Sequence, residues 1–175
     1  NWKSGQALIA YDPDPQPEPI RTTLANPVTN NPFVVTYYFE YDFTFAGVPS
    51  DPAVELVLRH IVDDAAVFYL NGVEVSRYNL PAGPITSSTL SSTTLTNAAD
   101  IGNIVLPKDQ LQVGSNRLSV EVHQASLTSS DIVFGAELVA RTLVAPATPG
   151  EPFQEVPEEW IELYNRSAMD VDLTG

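Results

Sequence analysis

The chain has 175 residues, 43% of them hydrophobic, which is enough for one well-buried core and a small additional piece. Only 8 Lys and Arg stand against 22 Asp and Glu, so the formal net charge is −14. This acidity argues against nucleic acid and anionic membrane surfaces as partners, because clustered basic residues are needed to bind phosphate groups. The absence of cysteine excludes disulfides, thiolate zinc sites and thiol catalysis.

Membrane-spanning and signal-like stretches are missing from this sequence. No apolar run approaches the roughly 20 residues needed to cross a bilayer, so we expect no membrane insertion. The chain begins at Asn1, with no basic start followed by an apolar stretch. We therefore expect a processed product or an excised fragment, with any signal peptide outside the sequence.

Alternation of apolar and polar residues with a period of two predicts strands along most of the chain, and a helical period is nearly absent. The clearest case is 35–45, whose apolar face consists of Val35, Tyr37, Phe39, Tyr41, Phe43 and Phe45. Further predicted strands are 54–59, 67–70, 73–77, 117–123 and 132–139. Because loops rich in Pro, Gly and Asn separate them, the sequence predicts an all-β fold, an antiparallel β-sandwich or jelly roll.

A tight hairpin is predicted where Asn71 and Gly72 separate two of these strands. A type I′ turn needs positive φ at both central positions, and Asn-Gly adopts this conformation at low cost. Two other stretches do not alternate. The Pro-acidic segment 12–19 is expected to be extended, since proline donates no ladder hydrogen bond. The polar segment 86–97 is interpreted as a solvated connection, with a weak edge strand, O-glycosylation or partner contact as alternatives.

The composition changes at Ala145, which we take as the end of a β-sandwich domain spanning 1–144. Residues 145–157 form a Pro/Gly-rich linker. The segment 158–175 resembles the opening strand of a lamin-tail domain, "EWIELYN-x-S-x-x-x-VDLTG", without the strands that complete such a domain. We expect it to pair with another strand, because an amphipathic strand without its sheet is an exposed edge. The predicted assembly strand comprises Trp160, Ile161, Glu162, Leu163 and Tyr164.

Several motifs resemble galactose-binding-like β-sandwich modules of the carbohydrate-binding type in secreted bacterial proteins. VDDAAVFYLNGVEV is similar to their "DDG-A-x-x-YLNG-x-E", TYYFEYDF to "YYFR-x-x-F", and GSNRLSVEVHQ to "G-x-N-x-L-A-V-E-V-H-Q". The resemblance implies an extracellular or cell-surface accessory module without catalytic activity of its own. Ala65 stands where the family motif has glycine, so a positive φ there would strain it.

Two adjacent carboxylates, Asp63 and Asp64, lie at a predicted strand corner. One interpretation is that a side chain caps the turn by accepting backbone N–H bonds. The other is a structural calcium ion, which prefers six to eight oxygen ligands and which such sandwiches often hold. The predicted calcium ligands are Asp63, Asp64 and Asp131, and further loop carboxylates available to such a site are Asp12, Asp14 and Asp100.

No nucleophile, metalloprotease or nucleotide-binding motif occurs, so we expect no enzyme activity. Sugar recognition normally combines an exposed aromatic ring with polar side chains. The predicted ligand-binding residues are Tyr38, Arg59, Tyr69, Arg77, Tyr78, Glu121 and His123. His123 is alternatively a hydrogen-bonded structural residue.

Two functions are favoured at this point, and a third, a hydrolase, would require two carboxylates that converge in a cleft. The first is an extracellular accessory module that binds carbohydrate weakly. The second is a structural subunit that associates with a neighbouring chain by strand addition through its terminal segments. A homo-oligomer formed head to tail in this way does not close, and it would build filaments.

Overall fold

The computed structural model describes residues 2–143, which form two β-sheets. In chain order the strands are β1 (Ile9–Tyr11), β2 (Thr22–Thr23), β3 (Thr36–Phe45), β4 (Val54–Asp63), β5 (Ala65–Leu70), β6 (Val73–Tyr78), β7 (Ala99–Leu106), β8 (Gly114–His123) and β9 (Ile132–Thr142). A single 3-10 turn at Pro27–Thr29 is the helical element of this part of the chain, and Asn26 caps it. None of the described residues forms a helix long and apolar enough to span a membrane.

The strand order is β2-β1-β9-β4-β7 in the first sheet and β3-β8-β5-β6 in the second. All neighbours are antiparallel except β1 and β2, which are parallel. The predicted all-β class and β-sandwich architecture are therefore confirmed. Every strand predicted from alternation is present, in most cases extended by a few residues.

The core lies between the two sheets because each long strand presents alternate apolar residues to it. The buried core residues are Leu56, Leu58, Val62, Ala66, Phe68, Leu70, Leu106, Leu111, Leu118, Val120, Val122, Ile132 and Phe134. Phe39 of β3 packs against this core by stacking its ring on Phe134, with the ring centroids 4.3 Å apart. Full burial of each Leu, Ile or Phe stabilises the folded state by about 1.5–3 kcal/mol, so this layer dominates stability.

The predicted hairpin joins β5 to β6. Asn71 has φ 50° and Gly72 has φ 84°, the positive values that the tight turn needs. The Asn71 side chain donates to the carbonyl of Gln110 at 2.7 Å and accepts from the backbone N–H of Arg117 at 2.8 Å. Ala65 begins β5 without a positive φ, so the expected strain is absent.

Strand β7 was not predicted because a bulge interrupts its alternation. Its pairing with β4 shifts register between Leu58 and His60, and Asn103 has φ 57°. A bulge adds a residue to one strand, so the side-chain pattern changes face in the middle of the element. β1 and β2 were also missed, since three and two residues are too few to show a period.

The polar segment between β6 and β7 contains no strand, and it covers one end of the second sheet. Thr36 Oγ1 donates to the carbonyl of Ser87 at 2.9 Å, and the backbone N–H of Ser91 donates to the Gln124 carbonyl at 3.1 Å. Most of residues 86–97 are nevertheless exposed, as expected for the predicted solvated connection. The segment is attached to the sheet through backbone carbonyls, which sequence composition does not reveal.

The sandwich is open along the edge strand β3. Tyr41 lies on the inward face of β3, as predicted, yet it is 69% exposed. It borders a cavity of about 1020 Å³ that Phe43, Phe45 and Leu138 also line. The cavity exists because β1 pairs only with Ile132–Phe134, so the remainder of β9 has no neighbour on that side among residues 2–143.

Candidate functional site

Several predicted ligand-binding residues lie together on the outer face of the second sheet, the face turned away from the core. The register places Tyr38 of β3 opposite Glu121 of β8. Glu121 in turn lies opposite Val67 of β5, and Val67 lies opposite Arg77 of β6. Tyr69 is two residues further along β5, so its side chain is on the same face. We call this surface of Tyr38, Tyr69, Arg77 and Glu121 the tyrosine face.

The two tyrosines of this face combine an accessible ring with a neutral hydroxyl. Tyr38 is 48% exposed, and Tyr69 is half-buried. Partial burial, followed by the nearby Glu121 carboxylate, raises the pKa of both phenols above the ordinary value of 10. Each hydroxyl therefore stays protonated at neutral pH and can both donate and accept a hydrogen bond.

Arg77 belongs to the tyrosine face by position, but its guanidinium is already engaged. It donates from Nε and Nη2 to the two Glu74 oxygens at 2.6 and 2.7 Å. It also donates from Nη1 to the carbonyls of Pro81 and Gly83 at 2.5 and 3.2 Å. Its main role is thus to hold the segment after β6 against the sheet.

His123 is fully buried under that same segment. Its Nδ1 lies 2.8 Å from the Thr89 carbonyl and 3.0 Å from Thr36 Oγ1. Since a carbonyl only accepts, the proton is assigned to Nδ1. Nε2 lies 3.3 Å from Glu121 Oε2 without hydrogen-bond alignment. His123 is therefore a hydrogen-bonded structural residue that is not itself open to a ligand.

The remaining two ligand-binding candidates are elsewhere. Arg59 lies on the first sheet, where it donates to Asp100 at 2.7 Å and to Glu18 at 3.2 Å. The ring of Tyr78 packs inside the sandwich, 5.2 Å from the centroid of His60. The structure thus does not bring either residue to the tyrosine face.

The predicted calcium ligands separate into two roles. Carboxylate oxygens of Asp12, Asp63 and Asp131 lie within 4.8 Å of one another, and we call these residues the aspartate cluster. Asp64 is not one of these three, although its carboxyl lies close enough to act on the pKa of Asp63 and of Asp131. The two oxygens of Asp64 accept the backbone N–H groups of Leu95 and Ala125 at 2.9 and 2.7 Å, so it has the turn-capping role.

Burial and neighbouring carboxylates favour the neutral forms of two carboxyl groups in the aspartate cluster. Burial, followed by the charge of Asp64, raises the pKa of Asp63 to about 8. Burial and the charge of Asp12 also raise the pKa of Asp131. Asp63 is only 2% exposed.

Two buried side-chain oxygens in this region have no hydrogen-bond partner among the described residues. They are Asp63 Oδ2 and Gln124 Oε1. The Gln124 Nε2 donates to the backbone carbonyl of Asp131 at 2.8 Å. Sequence reasoning did not single out Gln124, the residue that directly follows β8.

Comparison with protein-family models, with curated proteins and with solved structures found no match. The galactose-binding-like and lamin-tail assignments accordingly stay predictions. The linker 145–157 and the assembly strand, from Trp160 to Tyr164, lie outside the described residues.

Proposed function

We propose that this chain is a galactose-binding-like, non-catalytic extracellular module that binds carbohydrate weakly at the tyrosine face. The observation that carries the proposal is the placement of Tyr38 and Tyr69 around Glu121 on one sheet face. Tyrosine rings pack against the apolar faces of sugar rings, and a carboxylate accepts hydrogen bonds from sugar hydroxyls.

The geometry also supports an open, low-affinity site. The face is built from four adjacent strands, about 4.8 Å apart, and one strand separates the two that carry the tyrosines, so the tyrosines are spaced on the scale of one or two sugar units. A flat sheet surface buries only one side of a glycan, and most of the binding free energy is then offset by lost ligand freedom. Weak binding to a chain of repeated sugars is the expected behaviour.

The proposal is tested by affinity electrophoresis of the full chain in gels containing soluble galactan, xylan, β-glucan or mannan. We expect at least one polysaccharide to retard migration. Tyr38→Ala should weaken that retardation about tenfold in dissociation constant, equivalent to about 1.4 kcal/mol. Glu121→Gln should weaken it further when combined with Tyr38→Ala.

The matched control is Tyr41→Ala, which removes an exposed tyrosine from the opposite face of the same strand. It should migrate like the unmodified chain in every gel. If no polysaccharide retards the chain, or if Tyr41→Ala alone abolishes retardation, the tyrosine face is not the carbohydrate site.

A second function, assembly by strand addition, is supported by the open side of the sandwich. Edge strand β3 and the part of β9 beyond Phe134 both have unpaired backbone groups there, on either side of an apolar cavity. Such edges accept a strand from another chain. The predicted donor is the assembly strand of a neighbouring copy.

Light scattering of the full chain over a range of concentrations tests this alternative. Assembly predicts a mass that grows with concentration, and Ala140→Lys should suppress it because a lysine on an exposed edge disfavours strand pairing. A constant monomer mass for both proteins would reject assembly through this edge.

A further inference from the structure

One carboxylate of the tyrosine face has no aligned donor and no arginine or lysine partner. The Glu121 side chain is 24% exposed, and the one basic side chain within ion-pair distance of it among residues 2–143 is His123. The His123 Nε2 lies 3.3 Å from Glu121 Oε2 without hydrogen-bond alignment, and the proton of this ring is on Nδ1, beside the Thr89 carbonyl. Glu121 is therefore an accessible acceptor whose charge is not neutralised within this part of the chain.

The arginines of the second sheet leave no cation for an anionic ligand. The four strands of this sheet contain two arginines and no lysine. Arg77 donates to both Glu74 oxygens at 2.6 and 2.7 Å. Arg117 donates to both Asp42 oxygens at 2.7 and 2.9 Å, and it lies 3.1 Å from Glu40. Because carboxylates outnumber arginines on these strands, the sheet repels an anionic sugar and attracts a cationic one.

The two tyrosine rings flank the unneutralised carboxylate. Tyr38 is directly opposite Glu121, a position in which Cβ atoms are about 5 Å apart. Tyr69 pairs with Ser119, so it is a diagonal neighbour of Glu121, about 7–8 Å away. The face of an aromatic ring attracts a cation, and a carboxylate forms a strong, charge-assisted hydrogen bond with an ammonium group. Two such rings beside one carboxylate suit a protonated amine.

We propose that the tyrosine face selects glycans that carry protonated amino groups, the chemistry of polymers of deacetylated hexosamine. The amine of one sugar unit donates to Glu121, and the apolar faces of the sugar rings lie against Tyr38 and Tyr69. This inference rests on the proposed carbohydrate function and names its substrate class. N-acetylation removes both the charge and a donor proton, so the acetylated form of the same glycan binds less tightly.

The overall charge of the chain requires a test that separates local from general attraction. A formal net charge of −14 attracts any polycation, whatever its sugar content. Short oligosaccharides in about 0.15 M salt reduce this contribution, because charges further apart than about 8 Å are then largely screened. A contact between Glu121 and an amine is much closer than this and is screened less.

The test is calorimetric titration of the full chain with two oligosaccharides of equal length, a glucosamine hexamer and an N-acetylglucosamine hexamer. The titrations are made in that salt at about pH 6, where an amine is protonated. We expect the glucosamine hexamer to bind about tenfold more tightly than its acetylated counterpart. A galacturonate hexamer, which is anionic, should bind more weakly than either.

The unmodified chain alone distinguishes the failure of this inference from that of the proposed function. Equal affinities for the two hexamers would overturn the selectivity for amines, while binding at the tyrosine face would leave the carbohydrate function standing. Absence of binding to these sugars and to all the neutral polysaccharides would reject both.

Two substitutions of the same kind locate the selectivity. Glu121→Gln keeps the shape of the side chain and removes its charge, so the ratio of the two affinities should fall from about ten to about two or less. The matched control is Glu137→Gln, at an exposed glutamate of β9 in the other sheet. It changes the net charge equally and should leave the ratio unaltered. An equal fall in both variants, or in neither, would contradict a role for Glu121 in binding the amine.

Discussion

At the scale of single residues, two identical and equally buried neighbours in the sequence have different hydrogen-bond partners. Asp63 and Asp64 are adjacent, but Asp64 accepts two backbone N–H groups while Asp63 has an unsatisfied oxygen. The sequence predicted two alternative roles for the pair, turn capping and metal binding. It could not predict which aspartate meets Asp12 and Asp131, because that depends on the connections between strands.

His60 provides the clearest pH dependence of the fold. The ring is 1% exposed, neither nitrogen has a hydrogen-bond partner, and it packs against Phe68 and Tyr78. Burial lowers its pKa from 6.5 to about 4, and only the distant charge of Asp100 opposes this. Its contribution to stability is therefore complete above pH 6.5 and is lost as the pH falls towards 4.

Replacing His60 with leucine should remove this dependence. Between pH 7 and pH 4.5 the unmodified chain should lose about 2 kcal/mol more of its free energy of unfolding than His60→Leu, since one unit of pKa shift is worth about 1.4 kcal/mol. Chemical denaturation at the two pH values gives the comparison. Parallel losses in both proteins would mean that His60 is not the titrating group.

At the scale of elements, regular strands were predictable and their partners were not. The alternation of residues 35–45 correctly predicted β3 and its two faces. The Asn71-Gly72 pair correctly predicted the hairpin. The tyrosine face, however, requires β3 to lie beside β8, which is far away in the chain. The sequence predicted its members individually, while their proximity follows from register and topology.

The segment between β6 and β7 illustrates the same limit. Its Ser and Thr content correctly indicated a largely exposed loop, but it did not indicate that the backbone carbonyls of the loop accept from Thr36, His123 and Arg77 side chains on the sheet. Composition describes side chains, and here the attachment uses the main chain of the loop.

We expect Thr36→Val to loosen this segment specifically. The substitution keeps the shape and removes the hydroxyl that donates to Ser87, so the free energy of unfolding should fall by about 1–2 kcal/mol. Amide hydrogen exchange should accelerate in residues 86–93. Thr44→Val, an exposed threonine on the same strand without a side-chain hydrogen bond among the described residues, serves as the control. Equal effects of the two substitutions would argue against the anchoring role of Thr36.

At the scale of the whole molecule, fold class was the most predictable property. The absence of a helical period, the spacing of the turns and the apolar content all indicated one β-sandwich, which the two sheets confirm. The bulge in β7, the short strands β1 and β2 and the open side of the sandwich were not foreseen. Each depends on how the sheets terminate, and the termination of a sheet is a property of the assembled fold.

The pairing of β1 with β9 has a consequence for how the chain folds. Ile9 lies opposite Phe134, so the first sheet joins the two ends of the described sequence. Two further pairs, β3 with β8 and β4 with β9, also join strands that are distant in sequence. Such non-local contacts require large loops to close before they contribute stability, which places folding in the millisecond-to-second range. During synthesis, β1 cannot pair with β9 until β9 has left the ribosome. This part of the first sheet therefore forms only after residues 132–142 have been made.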